Sequence, residues 1–269
     1  DENFMKTIKQ LLIELSLIDD KNLEVFSKKT RDFDNITVLK DKNSGLIFLE
    51  NFVTEDAVYE DGDYRSEGIS HFGKRDYEIL SDVRRRLNDY KQFYVGKKVI
   101  DFGCGEGTFL KDIKMFSQEI CGIEIERSNV HHLKELGIDC KESIDDLDSG
   151  SLDTVFCFHT LEHLKEPIEI LKKFERVLNP KGHLIIEVPH ANDFLLKYLE
   201  SEPFKDFTLW SQHLLLHTRT SLEKFLRVSG FNNVTIQGKQ RYPISNHLNW
   251  LRYGVPGGHK STLSSIDSE

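Results

Sequence analysis

The chain has 269 residues, enough for one large domain or a catalytic domain with smaller additions, and its 38% hydrophobic and 30% charged residues are those of an ordinary globular protein. A formal net charge of −9 argues against nucleic acid as the main partner, because phosphate neutralisation needs a basic face. No apolar run of about 18 residues is present, so no membrane span is expected. The amino terminus has no signal-peptide pattern. Four cysteines, Cys104, Cys121, Cys140 and Cys157, form no CxxC pair and sit in or beside apolar runs. They read as small, reduced core residues of a cytoplasmic protein.

Taken in chain order, residues 4–18 repeat apolar side chains at helical spacing and predict an amphipathic helix. Residues 36–40 and 46–49, split by DKNSG, predict a β-hairpin. Residues 54–70 are polar and rich in Tyr, Asp and Gly, as in a loop or lid, and a helical pattern follows over 72–93. Arg84, Arg85 and Arg86 fall in that pattern and read as a solvated face. From residue 97 the texture changes. KKVIDF, EICGIEI, GIDCKE, LDTVFCFH and GHLIIEVP read as strands, with helical stretches between most of them. Such alternation predicts an α/β fold with a doubly wound, mostly parallel sheet covered on both faces. Ligands on such sheets bind beyond the C-terminal strand ends, where the strand order reverses. An aromatic-rich insertion covers 190–217, a helix 219–229 and a further strand 231–238. The division expected is a helix, hairpin and cap or lid region over 1–95, a catalytic domain over 96–253 and a loose tail over 254–269, rich in Gly, Ser and Pro.

The strongest local signal is Asp101-Phe-Gly103-Cys104-Gly105-Glu-Gly107, three alternate glycines between a strand and a helix. Glycine permits positive φ and close approach of backbone to a ligand. The spacing is GxGxG, whereas a dinucleotide fingerprint needs GxGxxG. An acidic strand end, Asp101, suits a cationic ligand better than a pyrophosphate. Glu124 ends the second strand 23 residues on, where a carboxylate can accept both ribose hydroxyls.

These segments, VIDFGCGEGTFL, CGIEIE and LDTVFCFHTLEHLKEPIEILKKFERVLNPKGHLIIEVP, resemble the class I S-adenosylmethionine-dependent methyltransferase family over about residues 97–240. The resemblance implies a seven-stranded sheet with one antiparallel edge strand. S-Adenosylmethionine would be the cofactor and S-adenosylhomocysteine the product. Gly103, Cys104 and Gly105 would lie against its methionine part, with Asp101 organising the amino acid end. Glu124 would hold the ribose, Ile125 would lie beside the adenine, Glu142 and Ser143 would meet the adenine edge, and Phe158 and His159 would approach the sulfonium. NPKG at 179–182 takes the place of the usual PGG turn.

His159-Thr-Leu-Glu162-His163 follows the fourth strand. Methyl transfer to oxygen needs alignment and a deprotonated acceptor, and a positioned His can take the hydroxyl proton. His163 and His159 are the base candidates, with Glu162 orienting an imidazole or binding an acceptor hydroxyl. The segment also resembles the ExxEH metal motif of small-RNA 2′-O-methyltransferases and certain quinone O-methyltransferases, with His159 replacing the first Glu. His159, Glu162, His163 and His213 could then hold a divalent ion of the transition series, magnesium being disfavoured by the imidazoles. A divalent metal is the less favoured reading, and a structural role for the EH pair is a third.

Tyr59, Tyr64, Arg65 and His71, the insertion with His213 and His217, and Arg241, Tyr242, Asn246, His247 and Trp250 are the candidates for an acceptor pocket, Arg with Tyr suiting phosphate or sugar hydroxyls. HTLEHLKEP, EVPHAND and HLLLHTRTSLEKFLRVSGF resemble a methyltransferase subgroup of bacterial surface-glycan and sugar-nucleotide clusters. That implies O-methylation of a small sugar-, nucleotide- or phosphoramidate-containing capsule precursor. A sugar C-methyltransferase is the near neighbour, although its usual N-terminal cysteines are absent here. A nicotinamide oxidoreductase lacks its GxGxxG, and a non-catalytic binding module would have no need of the polar cluster.

Overall fold

The computed structural model describes residues 6–51 and 76–260, together with 264 and 267. Tyr59, Tyr64, Arg65 and His71 lie outside the described residues. The N-terminal part has helix α1 (Ile8–Glu14) and strands β1 (Leu23–Lys29), β2 (Asp34–Asp41) and β3 (Ile47–Leu49). Thr7 and Gln10 close a capping box at the start of α1, satisfying two helix-end N–H groups. The predicted hairpin is present, with Val38 opposite Leu49 and Lys40 opposite Ile47. β1 pairs with β2, and β9 (Leu215–Leu216), from the insertion, pairs with β3. The insertion is therefore tied by backbone hydrogen bonds to the hairpin.

Helices α2 (Asp76–Asp89) and α3 (Lys91–Tyr94) lead into the catalytic half. Strands β4 (Lys98–Phe102), β5 (Glu119–Ile123), β6 (Asp139–Lys141), β7 (Leu152–Phe158) and β8 (Leu178–Glu187) form a parallel sheet of order β6-β5-β4-β7-β8. The order runs outward in both directions from β4, so the switch point lies between β4 and β7. The intervening helices are α4 (Thr108–Ile113), α5 (Arg127–Glu135) and α6 (Pro167–Val177), followed by α7 (Phe194–Lys197), α8 (Glu202–Thr208), α9 (Arg219–Val228) and α10 (Ile244–Tyr253). α6 starts with Pro at its first position and buries Leu171, Phe174 and Val177 at helical spacing.

Two apolar cores sandwich this sheet. One unites Leu12 and Phe48 of the N-terminal part with Val155, Phe174, Phe225 and Trp250. The other packs Tyr94, Phe109, Leu110 and Leu133 against Val99, Phe156 and Phe158. One expectation, the strand count, is corrected. Five parallel strands stand among the described residues, and 231–238 makes no ladder, so the seven-strand count is not met there. NPKG lies within the span of β8 and is the stretch left without partners between Leu178, opposite Leu152, and His183, opposite Thr154, an excursion that fits the expected turn. The tail is anchored where it is described: Asn246 Oδ1 accepts the Gly257 N–H, and Ser245 donates to Asp267. Among the described residues no helix is long and apolar enough to cross a membrane.

Candidate active site

The glycine loop leaves the tip of β4 with Gly103, Gly105 and Gly107 all at positive φ, +72°, +56° and +69°. Only glycine takes this conformation cheaply. At Gly103 space is an equal constraint, since a Cβ there would stand 2.4 Å from Thr160 Oγ1. Thr160 donates to the Phe102 carbonyl at 3.3 Å, which binds the His159–His163 turn to the loop. Asp101 is 4% exposed at the end of β4. Burial pushes its carboxyl up to about 7, against the pull of Arg86 and with help from Glu124 and Glu187.

Glu124 is buried at the tip of β5. Its Oε2 accepts the Gly105 N–H at 2.7 Å, and its Oε1 accepts those of Ile125 and Glu126 at 2.8 and 2.9 Å. Ile125 is 42% exposed, Glu142 is exposed, and the Ser143 hydroxyl caps the short turn that follows β6. Two carboxylates on adjacent strand tips, beside a loop that admits no side chain at Gly103, fit a cationic nucleoside with free ribose hydroxyls. Three of the roughly four lone pairs of Glu124 are already engaged. Gripping two hydroxyls therefore requires it to release one of the three, of which only the Gly105 N–H comes from the glycine loop.

His159 ends β7 in a left-handed conformation, φ +52°, as residues held under strain at functional sites often do. Its N–H donates to the Glu187 carbonyl at 2.8 Å, and its Nδ1 lies 3.5 Å from Glu162 Oε1. Burial, with Arg241 and Arg86 nearby, holds its pKa well below the usual value. Glu162 is 1% exposed, and neither carboxylate oxygen meets a donor with hydrogen-bond geometry among the described residues. Burial lifts it to about 8, against its own N–H and Arg241. His163 Nδ1 lies 2.7 Å from the Gln212 carbonyl, and His213 Nδ1 lies 2.9 Å from the Thr208 carbonyl. A carbonyl only accepts, so each Nδ1 carries the proton, and neutral His163 has its lone pair on Nε2. Burial lowers His163 to about 4, despite the Gln212 and His159 carbonyls, which favour the charged form.

One ligand atom from each of Glu162, His163 and His213 falls within 4.8 Å of the others. A buried carboxylate without donors, beside imidazoles oriented by backbone carbonyls, fits a divalent transition ion. His159 is outside this set.

Several expected site residues have other duties. His217 is 1% exposed, bonded to Ser221 and edge-on to Phe225, so it presents no surface to an acceptor. Arg241 donates to Asp82 at 2.7 Å and lies over the Tyr242 ring. Trp250 is buried against Phe204 and Phe207, and Asn246 holds the tail. Phe158 is buried beneath the Arg86 guanidinium, 4.0 Å from its centroid.

The largest omission from the sequence reading is Glu187. Its carboxylate accepts two bonds from Arg85, two from Arg86 and one from Tyr90. Those donors hold it at about 2 in spite of burial. Arg85 and Arg86 are thus buried partners of a strand tip, and only Arg84 keeps the solvated face expected of all three. The run of arginines and the carboxylate closing the last strand were both visible, but nothing local joins residues 102 positions apart. Two open cavities of about 470 and 480 Å³ lie elsewhere, one beside Asp19 and Ser44, the other beside Phe93 and His183.

A methyltransferase domain family matches residues 72–236, more than half of the chain. The chain belongs to the class I S-adenosylmethionine-dependent methyltransferases. A ubiquinone biosynthesis O-methyltransferase of Cupriavidus pinatubonensis is 25% identical over 166 residues, 56% of this chain and 66% of that protein. One of Burkholderia pseudomallei is 23% identical over 183 residues, 63% of this chain and 79% of that protein. Among solved structures, a SAM-dependent methyltransferase from Archaeoglobus fulgidus superposes with a TM-score of 0.50 at 23% identity, covering 62% of this methyltransferase and 74% of that chain, which supports the fold.

Proposed function

We propose that this methyltransferase O-methylates the hydroxyl of a small acceptor held over the Glu162–His163–His213 cluster. The observation that carries this reading is the direct abutment of that turn on the glycine loop, Thr160 against Gly103. When bound, S-adenosylmethionine supplies an electrophilic methyl group on its sulfonium. Gly103, Cys104 and Gly105 would border its amino acid part, Asp101 would face its positive charge, and Glu124, Ile125, Glu142 and Ser143 would frame the nucleoside. His163 Nε2 takes the acceptor's hydroxyl proton, its ring aimed by the Gln212 carbonyl, and burial keeps that imidazole neutral. His159 and Phe158 close the site on the β7 side.

The acceptor classes are the sugar- or nucleotide-linked precursors of surface glycans and, from the names of the relatives, phenolic hydroxyls. The engagement of Arg241 with Asp82 weakens the first class, because its guanidinium is already spent. Solution in the cytoplasm fits either. The donorless carboxylate of Glu162 favours a second reading, in which Glu162, His163 and His213 hold a divalent ion that acidifies the acceptor hydroxyl. The test is methyl transfer from labelled cofactor to a panel of both acceptor classes, with His163→Gln alongside. Turnover should fall about 10²–10⁴-fold with cofactor affinity intact. Equal loss of both would defeat the assignment, and elemental analysis of the purified protein separates base from metal.

A further inference from the structure

Gly122, in the middle of β5, has no side chain, and two sulfurs converge on the space this leaves. A Cβ built at Gly122 would meet Cys104 Sγ at 2.7 Å and Cys140 Sγ at 3.5 Å. The two thiols are within hydrogen-bonding reach of each other, and all four cysteines of the chain are free. Cys104 belongs to the glycine loop, between Gly103 and Gly105, and is half-buried, whereas Cys140 is buried in β6 directly before Lys141 and the Glu142–Ser143 stretch. Gly122 pairs with Cys140 across the β5–β6 ladder, while the N–H of Cys104 reaches the Ile123 carbonyl at 3.3 Å. Both thiols therefore sit on one face of the sheet, over the same residue and against the apolar core, Cys104 in the glycine loop and Cys140 in the strand that leads to Glu142 and Ser143, the two segments that flank the crevice assigned above to the nucleoside.

We infer that Cys104 and Cys140 form a reversible disulfide across this crevice, and that the cross-linked and cofactor-bound states exclude one another. The inference rests on the proposed nucleoside site. A small disulfide oxidant, RSSR, supplies the chemistry. The Cys104 thiol, the less buried of the two, gives up its proton and attacks one sulfur of RSSR, expelling RS⁻ and forming a mixed disulfide. The Cys140 thiolate then attacks the Cys104 sulfur, expelling the second RS⁻. Two electrons pass to the oxidant, and the two cysteine protons leave on the two RSH formed. A sulfur–sulfur bond of about 2 Å draws the loop toward β6 and fixes Gly103 and Gly105, the backbone that must yield when Glu124 lets go of the Gly105 N–H.

The experiment treats the full chain with oxidised glutathione, with and without S-adenosylhomocysteine, and reads peptide mass and calorimetric affinity. Expected are a 104–140 linked peptide, protection by S-adenosylhomocysteine, at least about tenfold weaker binding after oxidation, and recovery with dithiothreitol. Cys140→Ser, whose sulfur lies in the apolar core, should bind as the parent does when reduced, and in oxidant it should stop at the Cys104 mixed disulfide with no linked peptide, unlike the parent chain. In the parent chain, a glutathione adduct on Cys104 without the linked peptide, or a linked protein that binds undiminished, overturns the inference. If the reduced protein does not bind S-adenosylhomocysteine at all, the nucleoside site itself fails, whereas the peptide mass still reads the cross-link separately.

Discussion

At Glu162 a carboxyl group is 1% exposed, with both oxygens lacking a hydrogen-bond donor among the described residues, and its pKa rises from 4.5 to about 8. Between those values the folded chain keeps a proton that the unfolded chain has lost. The associated stability is fully present below pH 4.5 and is lost as pH rises through 8, on the order of a few kcal/mol. Asp101, raised to about 7, acts in the same direction from 3.8 upward. His163 and His217, lowered to about 4 and 3, act oppositely and withdraw stability as pH falls below 6.5. Glu162→Gln should therefore flatten the decline in urea stability of metal-free protein between pH 5 and 8. An unchanged slope would mean that the carboxyl is ionised when folded. At Gly103 both φ and the neighbouring Thr160 forbid a side chain, so Gly103→Ala should cost about 1–3 kcal/mol in thermal or urea melts and weaken S-adenosylhomocysteine binding.

Among the elements, α2 matters most to the site because Arg85, Arg86 and Tyr90 just beyond it clamp the tip of β8 through Glu187. Removing that carboxylate leaves two mostly buried guanidiniums without their shared partner, Arg85 retaining Asp82 and Asp89. Glu187→Ala should destabilise the chain by about 3–5 kcal/mol in urea titrations, and a loss below about 1 kcal/mol would show the clamp to be dispensable. A clamp of this kind explains the misreading of Arg84–Arg86, since a charge run is solvated only when no opposite charge folds onto it. The parallel strands were legible for the opposite reason. β7 is buried along almost its whole length, and burial on both faces writes itself into the sequence as a continuous apolar run. β1 is mostly half-exposed or exposed and left no such mark. The Val-Thr-Ile of 234–236 had strand propensity but joins no ladder among the described residues, and propensity in β-structure largely reflects neighbours.

Across the whole molecule, the glycine loop and the two acids beside it were readable because they are local to two strand tips. Glu162, His163 and His213 were named together from the sequence with His159 added, and what was not readable is that the packing of the insertion against the hairpin brings His213 to the pair while His159 stays outside the set. That packing makes the N-terminal hairpin part of one core with the catalytic sheet. Phe48, 1% exposed, shares a cluster with Phe174 and Phe225. Phe48→Ala should cost about 3–5 kcal/mol and shift one cooperative transition, followed by fluorescence and circular dichroism together. Two separated transitions would show that the halves fold independently. The central claim is that the glycine loop and Glu124 together hold an adenosine-bearing cofactor. Calorimetric titration with S-adenosylhomocysteine tests it most directly: the parent chain should bind one equivalent and Glu124→Ala should bind at least about tenfold more weakly. Absence of heat from the parent chain at about millimolar ligand, or equal affinity in the variant, would contradict the account.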